Sequence, residues 1–171
     1  NSLMQTVGAI VRLYRQVMEE YPKYTGMIYA NIDDTGLGGG VTDRLEEVKV
    51  EEHLSRLVIV PVNAAARVPD DVVEDGTKTV KASEVYENLT TYMWSLIKAG
   101  LESESLYMLD VAKDNEMIAQ ITCRKYRLTS RGKIVLESKD DMKKRGLSSP
   151  DRADALALSL YREKTFNIKG L

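Results

Sequence analysis

The segment SSPDRADALAL, residues 148–158, places Asp151 and Asp154 three apart at the head of an otherwise apolar run. Residues i and i+3 are neighbours on a helix, so the two carboxylates share a face. Capping accounts for the first, since an aspartate in an opening turn stabilises a helix by about 0.3–1 kcal/mol through the helix dipole. It accounts less well for Asp154, which lies deeper in the apolar segment. A buried carboxylate needs a charge partner or a metal ion. A second acidic pair, Asp33 and Asp34, closes the run GMIYANIDD. Taken alone, that pair reads equally as the start of a turn before Thr35-Gly36. In open parallel sheets, however, ligands gather at the carboxyl ends of strands. One acidic cluster at a strand end and one at a helix start are the parts of a divalent-metal site. Mg²⁺ takes oxygen ligands and usually keeps several waters. Two such ions can activate a water and stabilise the leaving oxygen of a phosphodiester. Spacing alone therefore offers the two acidic pairs, Asp33 with Asp34 and Asp151 with Asp154, as candidate metal ligands.

The elements that must hold them follow from periodicity. Leu3, Val7, Ile10, Val11, Tyr14, Val17, Met18 and Tyr21 recur at helical spacing, which predicts an amphipathic helix over 3–21 stopped by Pro22. Residues 26–34 read as a strand, 35–40 (TGLGGG) as an irregular turn, 41–53 as a helix and 56–63 (RLVIVPVN) as a second strand buried on both faces. That order is a parallel βαβ unit. The polar stretch 64–81 reads as a long exposed loop. Ser83 is placed to cap a helix that Gly100 stops. A further helix is expected over 113–122, a β-hairpin turning at Ser130-Arg131-Gly132 over 124–138, and a buried last helix from Pro150, with Ser149 as its cap. Tyr92, Met93 and Trp94 read as core.

Composition narrows the class. The chain of 171 residues is 43% apolar and 29% charged, with a net charge of −2, as in an ordinary soluble globular protein of one domain. No apolar run spans a bilayer and no signal peptide is visible, so a cytoplasmic location and no membrane partner are expected. The single Cys123 and single His53 give no zinc site and no Cys/His nucleophile pair.

DRADALAL resembles the D-x-x-D-A-L-A segment that closes the active site of Holliday-junction resolvases, members of the RNase H-like nuclease superfamily. IDDTGLGGGVTDRL, 32–45, and GKIVLESKDDMKKRGLSSPDRADALALSL, 132–160, resemble the C-terminal nuclease domain of the large terminase subunit of tailed phages and prophages. The likeness runs from the first helix to about residue 162. It implies an α/β, RNase H-like fold: a central mixed sheet flanked by helices, with a β-hairpin near the active site. It implies a metal-dependent endonuclease, with Mg²⁺ or Mn²⁺ in a two-metal site, that cuts concatemeric double-stranded DNA during genome packaging in the bacterial cytoplasm. By position, Asp33 matches the family's second acidic residue, and Asp151 and Asp154 its closing pair, which makes these three the candidate catalytic and metal-binding residues, expected to converge, with Asp34 as a weaker metal candidate. The family's first nuclease strand, with its catalytic aspartate, and its ATPase domain have no counterpart in these residues. The resemblance therefore implies a fragment with weak or no cleavage by itself and a tendency to self-associate through the bared first strand. In the full protein the partners would be the ATPase domain, the small terminase subunit and the portal.

Other readings stand beside this one. The glycine run invites a dinucleotide site, but the Rossmann fingerprint wants its third glycine two residues further on, and a tight strand-to-helix turn explains the run as well. The basic stretch 124–145 is either a solvated surface or a phosphate-contacting patch, whose DNA-binding candidates are Arg127, Arg131, Lys133, Lys139, Lys143 and Lys144. The alternatives to a nuclease are a non-catalytic remnant that binds DNA or protein, and a nucleotide-binding βαβ domain.

Overall fold

A computed structural model describes residues 3–35, 38–75, 78–106 and 114–162. The chain forms two compact units, Asn1–Arg67 and Val68–Leu171.

The first unit is the expected βαβ arrangement preceded by a helix. Helix α1 (Leu3–Glu20) buries Val7, Val11 and Tyr14, one stripe at helical spacing. Strand β1 (Ile28–Asp33) and strand β2 (Leu57–Val62) pair in parallel, in register from Ile28 opposite Leu57 to Asp33 opposite Val62. Helix α2 (Gly38–Glu51) is the crossover between them. Its Leu45 and Val48 join the α1 stripe, Ile32, Leu57 and Ile59 in one core. Each fully buried Leu of that core contributes about 1.5–3 kcal/mol over its exposed state. Strand β1 is moored at its start by Arg56, whose guanidinium donates to the carbonyls of Tyr24 (2.6 Å) and Gly26 (2.7 Å).

Two expectations for this unit are corrected. Gly38, Gly39 and Gly40 are helical, the opening turn of α2, and not irregular. The helix tolerates them at its end, where backbone N–H groups have no intrahelical acceptor to lose. At Gly40 the space is also needed, for a Cβ there would come 2.7 Å from Leu3 Cδ1 of α1. Strand β2 is not buried on both faces either: Leu57, Ile59 and Val62 are buried, Val58 and Val60 half-buried, and Pro61 exposed.

In the second unit, β3 (Val72–Asp75) and β4 (Lys78–Lys81) form an antiparallel hairpin inside the stretch expected to be a loop. Four-residue strands carry too little periodicity to stand out from a polar background. Short helix α3 (Ala82–Val85) follows, and then α4 (Leu89–Glu102). Ser83 is not the cap; its hydroxyl donates to Asp70 (2.6 Å). Asn88 caps α4 by accepting from the Thr91 N–H (2.9 Å), and the helix continues past Gly100. Helix α5 (Asn115–Cys123), capped by Asp114, precedes the hairpin of β5 (Tyr126–Leu128) and β6 (Ile134–Leu136). Gly132, at φ +77°, takes the left-handed position its turn requires. Helix α6 (Lys139–Lys144) is capped by Ser138 and anchored by the fully buried Met142. Helix α7 (Asp151–Leu160) packs on α4 and α5. It is one-sided and not wholly buried: Ala153 and Ala157 face inward, while Ala155 and Ser159 are exposed. Among the described residues no helix is long and apolar enough to cross a membrane.

Candidate functional site

Helix α7 brings Asp151 and Asp154 to its first turn, as the spacing requires, and α4, α5 and α6 surround Asp154 with donors. Asp154 Oδ1 accepts from the Trp94 indole N–H (2.7 Å) and from Arg124 (3.0 Å). Its Oδ2 lies 2.7 Å from Lys139 Nζ. Asp151 is exposed, accepts from the Ser149 hydroxyl and lies 3.7 Å from the same Lys139 Nζ. One ammonium therefore faces both carboxylates. Of Asp154's two expected kinds of partner, the structure supplies charge.

Arg124 is the buried member of this group, its side chain only 5% exposed. It stacks 4.8 Å above the Trp94 ring and also donates to the Glu137 carbonyl (3.0 Å). Burial lowers its pKa, and the neighbouring Asp154 works in the opposite direction. An arginine keeps its charge through any such shift at neutral pH. The Glu137 side chain turns the other way and holds Arg145 at 2.7 and 2.6 Å, which keeps its carboxyl below the usual range.

The other acidic candidates lie in the first unit. Asp33 ends β1, is exposed and accepts from the Thr35 N–H (3.1 Å), the bond of a turn-starting aspartate. Asp34 Oδ1 accepts from the Thr42 hydroxyl (3.4 Å). Among the described residues no group of three or more His, Cys, Asp or Glu side chains is arranged to hold a metal ion.

The basic candidates divide by how they are engaged. Arg131 pairs with Glu87 (2.5 Å), Lys144 with Asp141 (2.7 Å), and half-buried Lys133 donates to the Ser83 carbonyl (2.7 Å). Arg127 on β5 and Lys143 on α6 are exposed and lie within salt-bridge distance of no described carboxylate, although Arg127 is near enough to Asp141 to help hold its carboxyl down. A cleft of about 570 Å³ between the N-terminal end of α4 and the hairpin is lined by Asn88, Thr91, Arg124, Tyr126, Arg127 and Ser138, among others.

Sequence reasoning missed three members of this site. Arg124 read as one more cation in a basic stretch, and Trp94 as core alone. Gln120, which meets α7 from α5, carried no signal. The partners of Arg124 and Trp94 stand 30 and 60 residues away, beyond any local pattern.

The described residues form three two-stranded sheets and not the single central mixed sheet expected, and the mixed α/β fold they make with the helices is similar to that of terminase nuclease domains, whose fold is RNase H-like. The nuclease domain of the large terminase subunit of bacterial virus Sf6 superposes with a TM-score of 0.62 over 88% of this chain and 70% of that one, at 17% identity. Point-mutant forms of the same domain, one with manganese and one with calcium, superpose with TM-scores of 0.63 at 15% identity and the same coverage. At these identities the likeness is one of fold. No family model matches the sequence, and no curated protein does.

Proposed function

We propose that this chain is the nuclease domain of a phage or prophage large terminase subunit, a divalent-metal-dependent endonuclease acting on double-stranded DNA during genome packaging. The observation that carries the reading is the paired carboxylate turn, Asp151 and Asp154, at the start of α7 with a cation between them, in a fold shared with terminase nuclease domains. Lys139 Nζ is a fair stand-in for a metal: a compact point charge facing one oxygen of each carboxylate, on a side chain 53% exposed and free to swing out. Asp154 and Asp151 would hold Mg²⁺ or Mn²⁺ there. Asp33 enters as a further ligand through the sequence resemblance, and Asp34 as a weaker candidate only as its acidic neighbour in sequence. The bound metal would supply an activated water and charge stabilisation at the cleaved phosphodiester. Arg124 and Trp94 fix Asp154 Oδ1 and so leave Oδ2 as the exchangeable oxygen. Lys139, once displaced, would be available to a DNA phosphate. The exposed cations Arg127 and Lys143, together with Lys139, would position the duplex without reading its sequence. The full protein's ATPase domain, small subunit and portal belong to the same proposal as partners.

The full engagement of Asp154 by Trp94, Arg124 and Lys139 favours one second reading, a non-catalytic module that keeps the fold and binds DNA or protein. Manganese decides between them. Trp94 is the chain's single tryptophan and bonds to Asp154, so its emission should respond to Mn²⁺ added to the wild type and not to Asp154→Asn. Nicking of supercoiled plasmid is expected to be weak, and any that occurs should depend on Mn²⁺. A flat Mn²⁺ titration with no nicking selects the module.

A further inference from the structure

The acidic turn of α7 lacks a cap of its own. Pro150 stands at the cap position and offers no side-chain acceptor, and the Ser149 hydroxyl is turned to Asp151. The first N–H groups of a helix need acceptors from outside it. Gln120 provides them. It is 8% exposed, and its Oε1 accepts from the N–H of Arg152 (2.9 Å) and of Ala153 (3.1 Å). Its amide nitrogen donates to Glu116 Oε1 (3.2 Å), which fixes the orientation of the amide. Arg152 closes the arrangement from the other side, reaching Asp114 (2.5 Å) and Glu116 (3.2 Å) at the start of α5. The two N–H groups that Gln120 holds lie between Asp151 and Asp154 in sequence.

We infer that Gln120 is a positioning residue for the acidic pair: a cap lent by α5 to α7 that fixes the turn from which Asp151 and Asp154 project. The inference rests on the nuclease reading for its function and on geometry for its structure, and the two are tested apart. In Gln120→Leu, which fills the same space without an acceptor, the Arg152 and Ala153 amides should exchange hydrogen about tenfold faster. Trp94 emission should shift to the red as its Asp154 bond loosens, with far-UV circular dichroism retained. The exchanged pair Gln120→Glu with Glu116→Gln rebuilds acceptor and donor in reversed order, and should restore both signals. Should the leucine variant fail to fold, the exchanged pair decides, since it keeps the acceptor without setting two carboxylates against each other and should keep both amides protected. Unchanged exchange in Gln120→Leu, or unprotected amides in a folded exchanged pair, would overturn the cap. The function is read from free Mn²⁺ by electron paramagnetic resonance. Wild type that binds Mn²⁺ while Gln120→Leu binds it several-fold more weakly supports the positioning role. Equal affinity overturns that role, and no binding by wild type overturns the nuclease reading with the cap still judged by its amides.

Discussion

Arg124 and Lys139 both face Asp154, yet they do different work. The Arg124 guanidinium is buried, stacked on Trp94 and bonded to the Glu137 carbonyl, so it cannot follow Asp154 if that partner is lost. Removing one member of a buried pair leaves an uncompensated charge. Asp154→Ala should therefore cost about 3 kcal/mol in urea unfolding. Lys139 is half-exposed, and Lys139→Ala should cost less than about 1 kcal/mol. Its effect should fall on metal instead: with the competing ammonium gone, Mn²⁺ should bind more tightly in a Trp94 titration. A large stability loss with unchanged Mn²⁺ affinity would mean that Lys139 is a structural tether. This division was only partly legible in the sequence. The spacing of Asp151 and Asp154 placed both carboxylates on one helical turn and required a partner for the deeper one. That the partner would be Arg124 could not be read, because a buried arginine and a solvated one look alike in a basic stretch until the fold brings Trp94 against it.

At the scale of elements, the β5–β6 hairpin is closed at its base by the Glu137 carboxylate, which grips Arg145 and accepts from the Lys125 N–H. These bonds, the Arg145 pair first, hold Glu137 below the usual carboxyl range. Asp114 is lowered chiefly by the Met117 N–H it caps, and Asp141 chiefly by Lys144. All three bind protons less readily in the folded chain than in the unfolded one. Their contribution to stability is complete above the ordinary carboxyl range and is lost as pH falls through their lowered values. Urea midpoints should hold level from about pH 7 to about 5 and drop below about pH 4. Glu137→Gln should lower the plateau and soften the drop. At the hairpin's tip, Gly132→Ala should cost about 1 kcal/mol: the added methyl meets open space, so the penalty is the left-handed backbone alone. Helix α1, the βαβ order and α7 carry enough residues to show a period. The three-residue strands β5 and β6 were readable from the turn at Ser130-Arg131-Gly132 and not from length. The β3–β4 hairpin, with four residues a strand, lay in a polar stretch whose one signal was the dipeptide Asp75-Gly76. The break between α3 and α4 was hidden because Ser83 has the right side chain for a cap and the wrong neighbour in space, Asp70.

For the whole molecule, association follows from exposed apolar surface and from charge. Among the described residues Met27 and Tyr29, at and just before β1, are exposed. Exposed apolar surface of this kind is a site for contact with a second copy. Sedimentation should show concentration-dependent self-association that Tyr29→Lys reduces, and an ideal monomer at high concentration would dismiss this surface as an interface. The proposed binding to DNA would be set differently. With a net charge of −2 the molecule has no general attraction for a polyanion, so any affinity must come from a local patch. The cations of 124–145 are not equivalent in that role. Arg131 is spent on Glu87, Lys144 on Asp141 and Lys133 on the Ser83 carbonyl. Arg127 and Lys143 are exposed and lie within salt-bridge distance of no described carboxylate, and Arg127 stands on the cleft beside Arg124. A cation bound to a phosphate releases counterions, and each one removed should reduce the slope of log affinity against log salt by about 1. Arg127→Ala and Lys143→Ala should each do so, equally on duplexes of unrelated sequence. Arg131→Ala should change the slope less, because contact with a phosphate must first break its pair with Glu87. Fluorescence anisotropy over a salt series measures all three. A slope that responds to Arg131 and ignores Arg127 and Lys143 would move the DNA path from the cleft to the hairpin tip.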